Sequence, residues 1–179
     1  EKLLKEKSDR IAGIILEPMV LGAGGMIVYP KEYLSGVGKL VKKFNVHLIV
    51  DEVATGFGRT GKMFASEHAG IKPDLMCVSK GITGGYLPLA ATLSTEKIAR
   101  AFYAPYIENK TFYHGHTYTA NPIACAAGLG SLEVFKKEKT LEHVKKIIPR
   151  FHRLLNNFKS LPLVGDVRAI GLIGALELV

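Results

Sequence analysis

The sequence predicts an α/β fold: a mostly parallel sheet flanked by helices, followed by the start of a small C-terminal α+β domain. Three observations carry this. The runs "IAGIILEP" (11–18), "HLIVDEV" (47–53) and "LMCVS" (75–79) are nearly continuous in apolar residues, as strands covered on both faces are. The first two are separated by a segment with helical spacing, which gives the strand–helix–strand order that parallel pairing requires. Beyond Asn121 the pattern changes to two longer helices and then two strands. At 179 residues, 47% of them hydrophobic, the chain can bury one core with a small appendage. Residues 1–135 are expected to form part of the large domain, and 136–179 the start of the small one.

The first strand ends in Glu17-Pro18, because proline cannot donate to a sheet ladder. "PKEYLSGVGKLVKKFN" (30–45) opens on proline and places Leu34, Val37, Val41 and Phe44 at spacings of three and four, an amphipathic helix weakened by Gly36 and Gly38. The second strand runs into a loop, "ATGFGRTGK" (54–62), and a short helical piece. The third strand meets Lys80 and the glycine-rich "GITGG", and "LAATLS" (89–94) reads as a fourth strand. "NPIACAAGLGSLEVFKKEK" (121–139) is rich in small residues and suits close packing. "TLEHVKKIIPRFHRLLNNFKSL" (140–161) is a second helix that Pro149 is expected to kink, and "LVGDVRAIGLIGALELV" (163–179) reads as two strands. Glu1 and the final "GALELV" read as cut ends, so a piece of a longer chain is expected.

Composition excludes several classes. The net charge of +8 is spread over helical faces and does not interleave with aromatics, which argues against nucleic-acid binding. No apolar run reaches membrane-spanning length. Cys77 and Cys125 lack a CxxC or histidine partner and read as buried thiols of a reducing, cytoplasmic compartment. Neither Asp51–Glu52 nor His114 and His116 has a further ligand at metal-binding spacing, so no metal site is expected.

Ionisable groups collect at the strand ends: Glu17, Asp51 with Glu52, and Lys80. In open α/β sheets ligands bind beyond the carboxyl ends of the strands. Two readings of Lys80 stand side by side, a structural ion pair closing the sheet edge and a reactive amine over a bound cofactor. A carbonyl cofactor needs an amine that is at least partly desolvated. A pyridine acting as an electron sink needs a carboxylate beside its ring nitrogen, and a phosphate needs hydroxyls and backbone N–H groups. Lys80, Asp51 and Thr117 offer these groups. Val53, two residues past Asp51, is expected on the same strand face, against a planar ring.

"LIVDEVATGFGRTGKMF" followed by "PDLMCVSKGITGGYLP" resembles the signature of the class-III, fold-type-I aminotransferases that use pyridoxal phosphate. The Asp51–Lys80 separation and the placement of "EPMVLGAGGM" (17–26) agree with that family, and the likeness runs from Ile11 to about Phe135. "KTFYHGHTYTANPIACAAGLGSLEVF" (110–135) and "DEVATGFGRTG" are most similar to the branch acting on 8-amino-7-oxononanoate in biotin synthesis; many other branches carry glutamine where this chain has Ala54. The resemblance implies a cytoplasmic homodimer with shared active sites. Lys80 would bond the cofactor aldehyde and shuttle the proton, Asp51 would pair with the pyridine nitrogen, and Val53 would pack on the ring. His116 and Thr117 would hold the phosphate from the neighbouring subunit. Gly115 would lie along the substrate, Arg59 would line its channel, and Glu17 would sit near the cofactor's edge. The implied amino donor is S-adenosylmethionine, with lysine in some relatives. The family's upstream phosphate loop and stacking aromatic would precede Glu1, and its carboxylate-binding arginine would follow Val179. Ser79 departs from the glycine common before the lysine. The competing readings are another ω-aminotransferase, of diamine, 4-aminobutyrate or acetylornithine type, and a non-catalytic dimerising fragment.

Overall fold

The structure, a computed structural model, describes residues 1–179. A short helix α1 (Lys2–Lys7) leads into strand β1 (Gly13–Leu16) and a small hairpin of β2 (Val20–Leu21) and β3 (Ile27–Val28). Helix α2 (Lys31–Lys43) then returns the chain to β4 (His47–Asp51), and β5 (Leu75–Val78) and β6 (Ala91–Ser94) follow. After α3 (Glu96–Arg100) an irregular stretch reaches α4 (Pro122–Lys137) and α5 (Thr140–Asn156), and the chain closes with the hairpin β7 (Val164–Ile170) and β8 (Ile173–Leu178).

The main sheet has the order β1-β4-β5-β6. β1 and β5 both run parallel to β4, while β6 is antiparallel to β5. The right-handed crossover rule explains why α2 lies on one face. Leu48 and Val50 point into that face and pack with Val41, flanked by Ile14, Leu16, Val37 and Met76. His47, Ile49 and Asp51 alternate to the other face and are only half-buried. Coverage on both faces, expected from the apolar runs, is therefore not met within these residues: Ile15 is 64% exposed and every residue of β6 is exposed. Cys77 and Cys125 are likewise half-buried rather than buried.

α5 runs unbroken through Pro149. Pro149 and Lys145 both lie exposed, where water satisfies the carbonyl that the proline leaves without a donor. The loop Gly56–Gly61 is gripped by the elements that follow it: Gly58 lies against Phe135 and Leu141, and Gly61 against Ile148. Leu172 N–H donates to the Arg59 carbonyl at 2.8 Å. Gly171, at φ +58° in the β7–β8 turn, has the Arg59–Thr60 backbone where a Cβ would lie, so both its left-handed conformation and its contact demand glycine. Gly171→Ala is expected to cost about 3 kcal/mol or more in urea unfolding. Gly70→Ala, at φ +62° but facing open space, should cost about 1 kcal/mol. Equal losses at the two positions would show that the contact with Arg59–Thr60 is not tight.

Candidate active site

Register sets three ionisable groups side by side. Leu16 pairs with Val50, so Glu17 leaves β1 level with Asp51 at the end of β4. Asp51 pairs in turn with Cys77, and Lys80 follows just beyond the end of β5. Glu17, Asp51 and Lys80 thus occupy successive strand ends at the carboxyl edge of the parallel sheet, the edge where α/β folds place ligands.

Lys80 is an exposed side chain on a fixed base. The Ser79 hydroxyl donates to the Leu89 carbonyl at 2.8 Å, and that of the buried Thr83 donates to the Leu87 carbonyl at 2.6 Å. A Cβ on Gly81 would fall 2.7 Å from Phe57, and Gly128 lets α4 press against Ile82 and Leu89. The small residues of α4 are used for this close approach. Between these supports the backbone of Lys80 is held at φ +44°, a left-handed conformation uncommon outside glycine. Its ammonium joins none of the ion pairs in the chain. Within this chain Lys80 and Asp51 form no ion pair. Desolvation by an apolar strand end, expected for a reactive amine, is not supplied by these residues either, because Lys80 stands clear of the strand.

Asp51 and Glu52 have opposite tasks. Asp51 Oδ1 accepts the Val53 N–H at 3.0 Å, and its other oxygen makes no hydrogen bond within the chain. That local bond turns the backbone out of the ladder, so β4 ends at Asp51 and not at residue 53. Val53 sits in the turn, half-buried; the expectation that it continues the strand face is corrected. Glu52 is fully buried and accepts from the Thr55 hydroxyl at 2.6 Å and from Ala65 and Ser66 N–H at 3.0 and 2.8 Å. It binds the first N–H groups of the short 3₁₀ helix Ala65–Ala69. Sequence reasoning grouped Glu52 with Asp51 and missed this anchoring; the Thr three residues later was the available signal.

Glu17 is held at both ends. The Tyr29 hydroxyl donates to its carbonyl and Gly22 N–H donates to its Oε2 at 3.0 Å, which leaves Oε1 without a partner in the chain. Burial pushes the Tyr29 phenol up to about 12, so it stays a donor at any ordinary pH. Tyr29 was not anticipated either.

The remaining predicted groups lie elsewhere. Residues 111–120 are exposed throughout, Gly115, His116 and Thr117 among them. His116 Nδ1 accepts the Tyr118 N–H at 3.1 Å, and the His116 backbone N–H donates to Thr119 Oγ1 at 2.9 Å. With Nδ1 accepting, the proton of the neutral ring belongs on Nε2, which becomes an outward donor. This turn leads directly into α4, where Asn121 Oδ1 caps Ile123 and Ala124 N–H at 3.0 and 3.1 Å. A cleft of about 700 Å³ separates the His116–Asn121 turn from Leu87–Ala90, with Ser79 on its wall. A second, smaller hollow of about 540 Å³ with a basic lining, beside α2, opens at the opposite end of β4, at His47, away from these groups. Arg59 is exposed, its carbonyl accepts from Leu172 N–H, and its side chain makes no ion pair with the sheet-edge trio.

The carboxyl edge of the parallel sheet thus carries an unpaired lysine, a carboxylate one strand away and a glycine-rich turn after the lysine, the arrangement of an α/β ligand site. The aminotransferase class-III family profile matches residues 1–179, and the chain belongs to that family. It is 52% identical over 179 residues to an adenosylmethionine-8-amino-7-oxononanoate aminotransferase of Anoxybacillus flavithermus, covering 100% of this chain and 39% of that protein. Against the same-named protein of Aquifex aeolicus it is 50% identical, with 100% and 39% coverage. The crystal structure of the Methanocaldococcus jannaschii adenosylmethionine-8-amino-7-oxononanoate aminotransferase superposes with a TM-score of 0.94 at 46% identity, over 99% of this chain and 42% of that one. A Pseudomonas jessenii omega transaminase superposes at 0.87 with 38% identity, over 99% and 39%. The chain therefore spans about two fifths of the length of these relatives.

Proposed function

We propose that this chain is the central part of a pyridoxal-phosphate-dependent aminotransferase that converts 8-amino-7-oxononanoate to 7,8-diaminononanoate in biotin synthesis, with S-adenosylmethionine as donor. Residues 1–135 contribute to its cofactor-binding domain and 136–179 open the small one. The observation that carries the reading is Lys80: an unpaired amine on a fixed left-handed turn, beside a carboxylate with a free oxygen.

The donor set fits the cofactor. Asp51 Oδ2 is free to hold a proton on a facing ring nitrogen, and Val53 in the adjoining turn offers an apolar contact to the ring. The Nε2–H of His116 and the hydroxyl of Thr117 are donors suited to a phosphate. Both project from an exposed segment, which supports their serving the site of a second copy. Tyr103, Tyr106, Ile107 and Tyr113 are each at least 73% exposed, which supports a homodimer in which this surface is covered. Bound there, pyridoxal phosphate supplies the electron sink that protein side chains lack. Lys80 Nζ takes a proton from the amine-bearing carbon of the donor and returns one to the acceptor carbon. Gly115 and Arg59 line the substrate's approach, and Glu17 bounds the edge of the site. No helix of the chain is long and apolar enough to cross a membrane.

The test is amino transfer by the full-length protein, with 8-amino-7-oxononanoate as acceptor and S-adenosylmethionine or lysine as donor, against diamines and 4-aminobutyrate. Turnover confined to ω-amine substrates would replace the biotin assignment with the omega-transaminase one. Asp51→Asn should retain the cofactor, read by its visible absorbance, while kcat falls roughly 10²–10³-fold, the effect of removing one key electrostatic contact. Unchanged kcat would remove Asp51 from the mechanism.

A further inference from the structure

Arg168 lies on β7, in the C-terminal hairpin, yet its guanidinium reaches the other end of the chain. Its Nη1 is fixed by Asp166 Oδ2 at 2.7 Å and Glu177 Oε2 at 2.6 Å, both on the same hairpin. Its Nη2 donates to the Gly25 carbonyl at 3.1 Å, across 143 residues of sequence. Gly25 closes the β2–β3 turn, where Gly25 and Met26 N–H donate to the Gly22 carbonyl at 3.2 and 2.9 Å. Gly22 N–H in turn donates to Glu17 Oε2 at 3.0 Å, and a Cβ at Gly22 would fall 2.9 Å from that oxygen. An unbroken run of hydrogen bonds therefore leads from a guanidinium, clamped by two carboxylates, to the one carboxylate at the sheet edge that flanks Asp51.

We infer that Arg168 is a positioning residue: it sets the turn Gly22–Met26, and through Gly22 N–H it orients the Glu17 carboxylate toward the substrate side of the site. This rests on the aminotransferase reading. Two carboxylates are more than one structural arginine on an exposed hairpin needs, and Arg168 Nε is buried without a partner. That arrangement holds the fork rigid so that Nη2 meets one carbonyl. The turn it holds has few side chains to fix it: Gly22, Gly24 and Gly25 carry none, only Leu21 lies over Gly24, and Met26 is held at φ +53°. Without the bond from Nη2, the tip of the turn loses its one hydrogen bond to β7, and Glu17 Oε2 is left with a less firmly held donor.

The test is a double-mutant cycle in the full-length holoenzyme using Glu17→Gln, Arg168→Met and the double variant, with Arg168→Lys as the conservative control. Arg168→Met should lower kcat/KM about tenfold, the size of one lost charge-assisted hydrogen bond. It should have no further effect once Glu17 is Gln, although its melting temperature falls in both backgrounds. Arg168→Lys, which keeps a donor for the Gly25 carbonyl, should recover part of the loss. In the cofactor-free protein, Gly22 amide hydrogen exchange should be at least about tenfold faster in Arg168→Met. Losses that multiply in the double variant, a silent Glu17→Gln, or unchanged Gly22 exchange each overturn the inference while leaving the aminotransferase reading intact. A wild-type protein without amino transfer overturns both.

Discussion

Lys80→Ala is expected to abolish amino transfer by the full-length protein while changing the stability of the cofactor-free form by no more than about 0.5 kcal/mol. The side chain is exposed and joins no ion pair, so its removal leaves no cavity and no orphaned charge. A structural lysine paired with Asp51 would behave otherwise, because removing one member of a buried pair costs about 3–5 kcal/mol. The backbone adds a sharper comparison. At φ +44°, Lys80 occupies a conformation that costs a side-chain-bearing residue roughly 1–2 kcal/mol and glycine almost nothing. Lys80→Gly should therefore raise the melting temperature and destroy activity together. A chain that keeps lysine where glycine is more stable does so for the amine. Residual turnover in Lys80→Ala near that of wild type would end the assignment of this lysine.

The largest stability effect is expected one residue past Asp51. Glu52→Ala removes the acceptor for the Thr55 hydroxyl and for Ala65 and Ser66 N–H, all at positions no more than 3% exposed. Buried donors left unpaired, together with the void, should cost about 4 kcal/mol in urea unfolding of the cofactor-free protein. Glu52→Gln retains the shape and one acceptor oxygen, but its NH₂ faces a backbone donor, and a loss of about 2 kcal/mol is expected. Activity should fall in both variants because the exit turn of β4 sets Asp51. A loss below about 1 kcal/mol for Glu52→Ala would mean water replaces the carboxylate.

The strand runs, α2, the two long helices and the final hairpin were legible because each has a periodicity that one chain segment displays by itself. The alignment of Glu17, Asp51 and Lys80 was legible because strand ends in a parallel sheet fall at one edge. Four things were not. The antiparallel direction of β6 depends on the length and course of the loop after Thr83, which has no period. The early end of β4 came from the Asp51–Val53 bond, since "HLIVDEV" remains apolar past the point where the ladder stops. Glu52 and Tyr29 also work through partners 13 and 12 residues away, of which the sequence gives no sign beyond Thr55, three residues after Glu52. The positive φ at Lys80 likewise sits among supports from Phe57, α4 and Leu87–Leu89 that no local pattern around the lysine announces.

β6 has a consequence for handling. It pairs with β5 along one side only, and all four of its residues are exposed. Its other side offers N–H and C=O groups spaced to accept another strand, without a proline, bulge or lysine among "ATLS" to deter one. β1 leaves a second such row at the opposite end of the sheet. Residues 1–179 expressed alone would carry two unpaired borders, and a rise in light scattering with concentration that Thr92→Lys suppresses is the expected sign of copies pairing along β6.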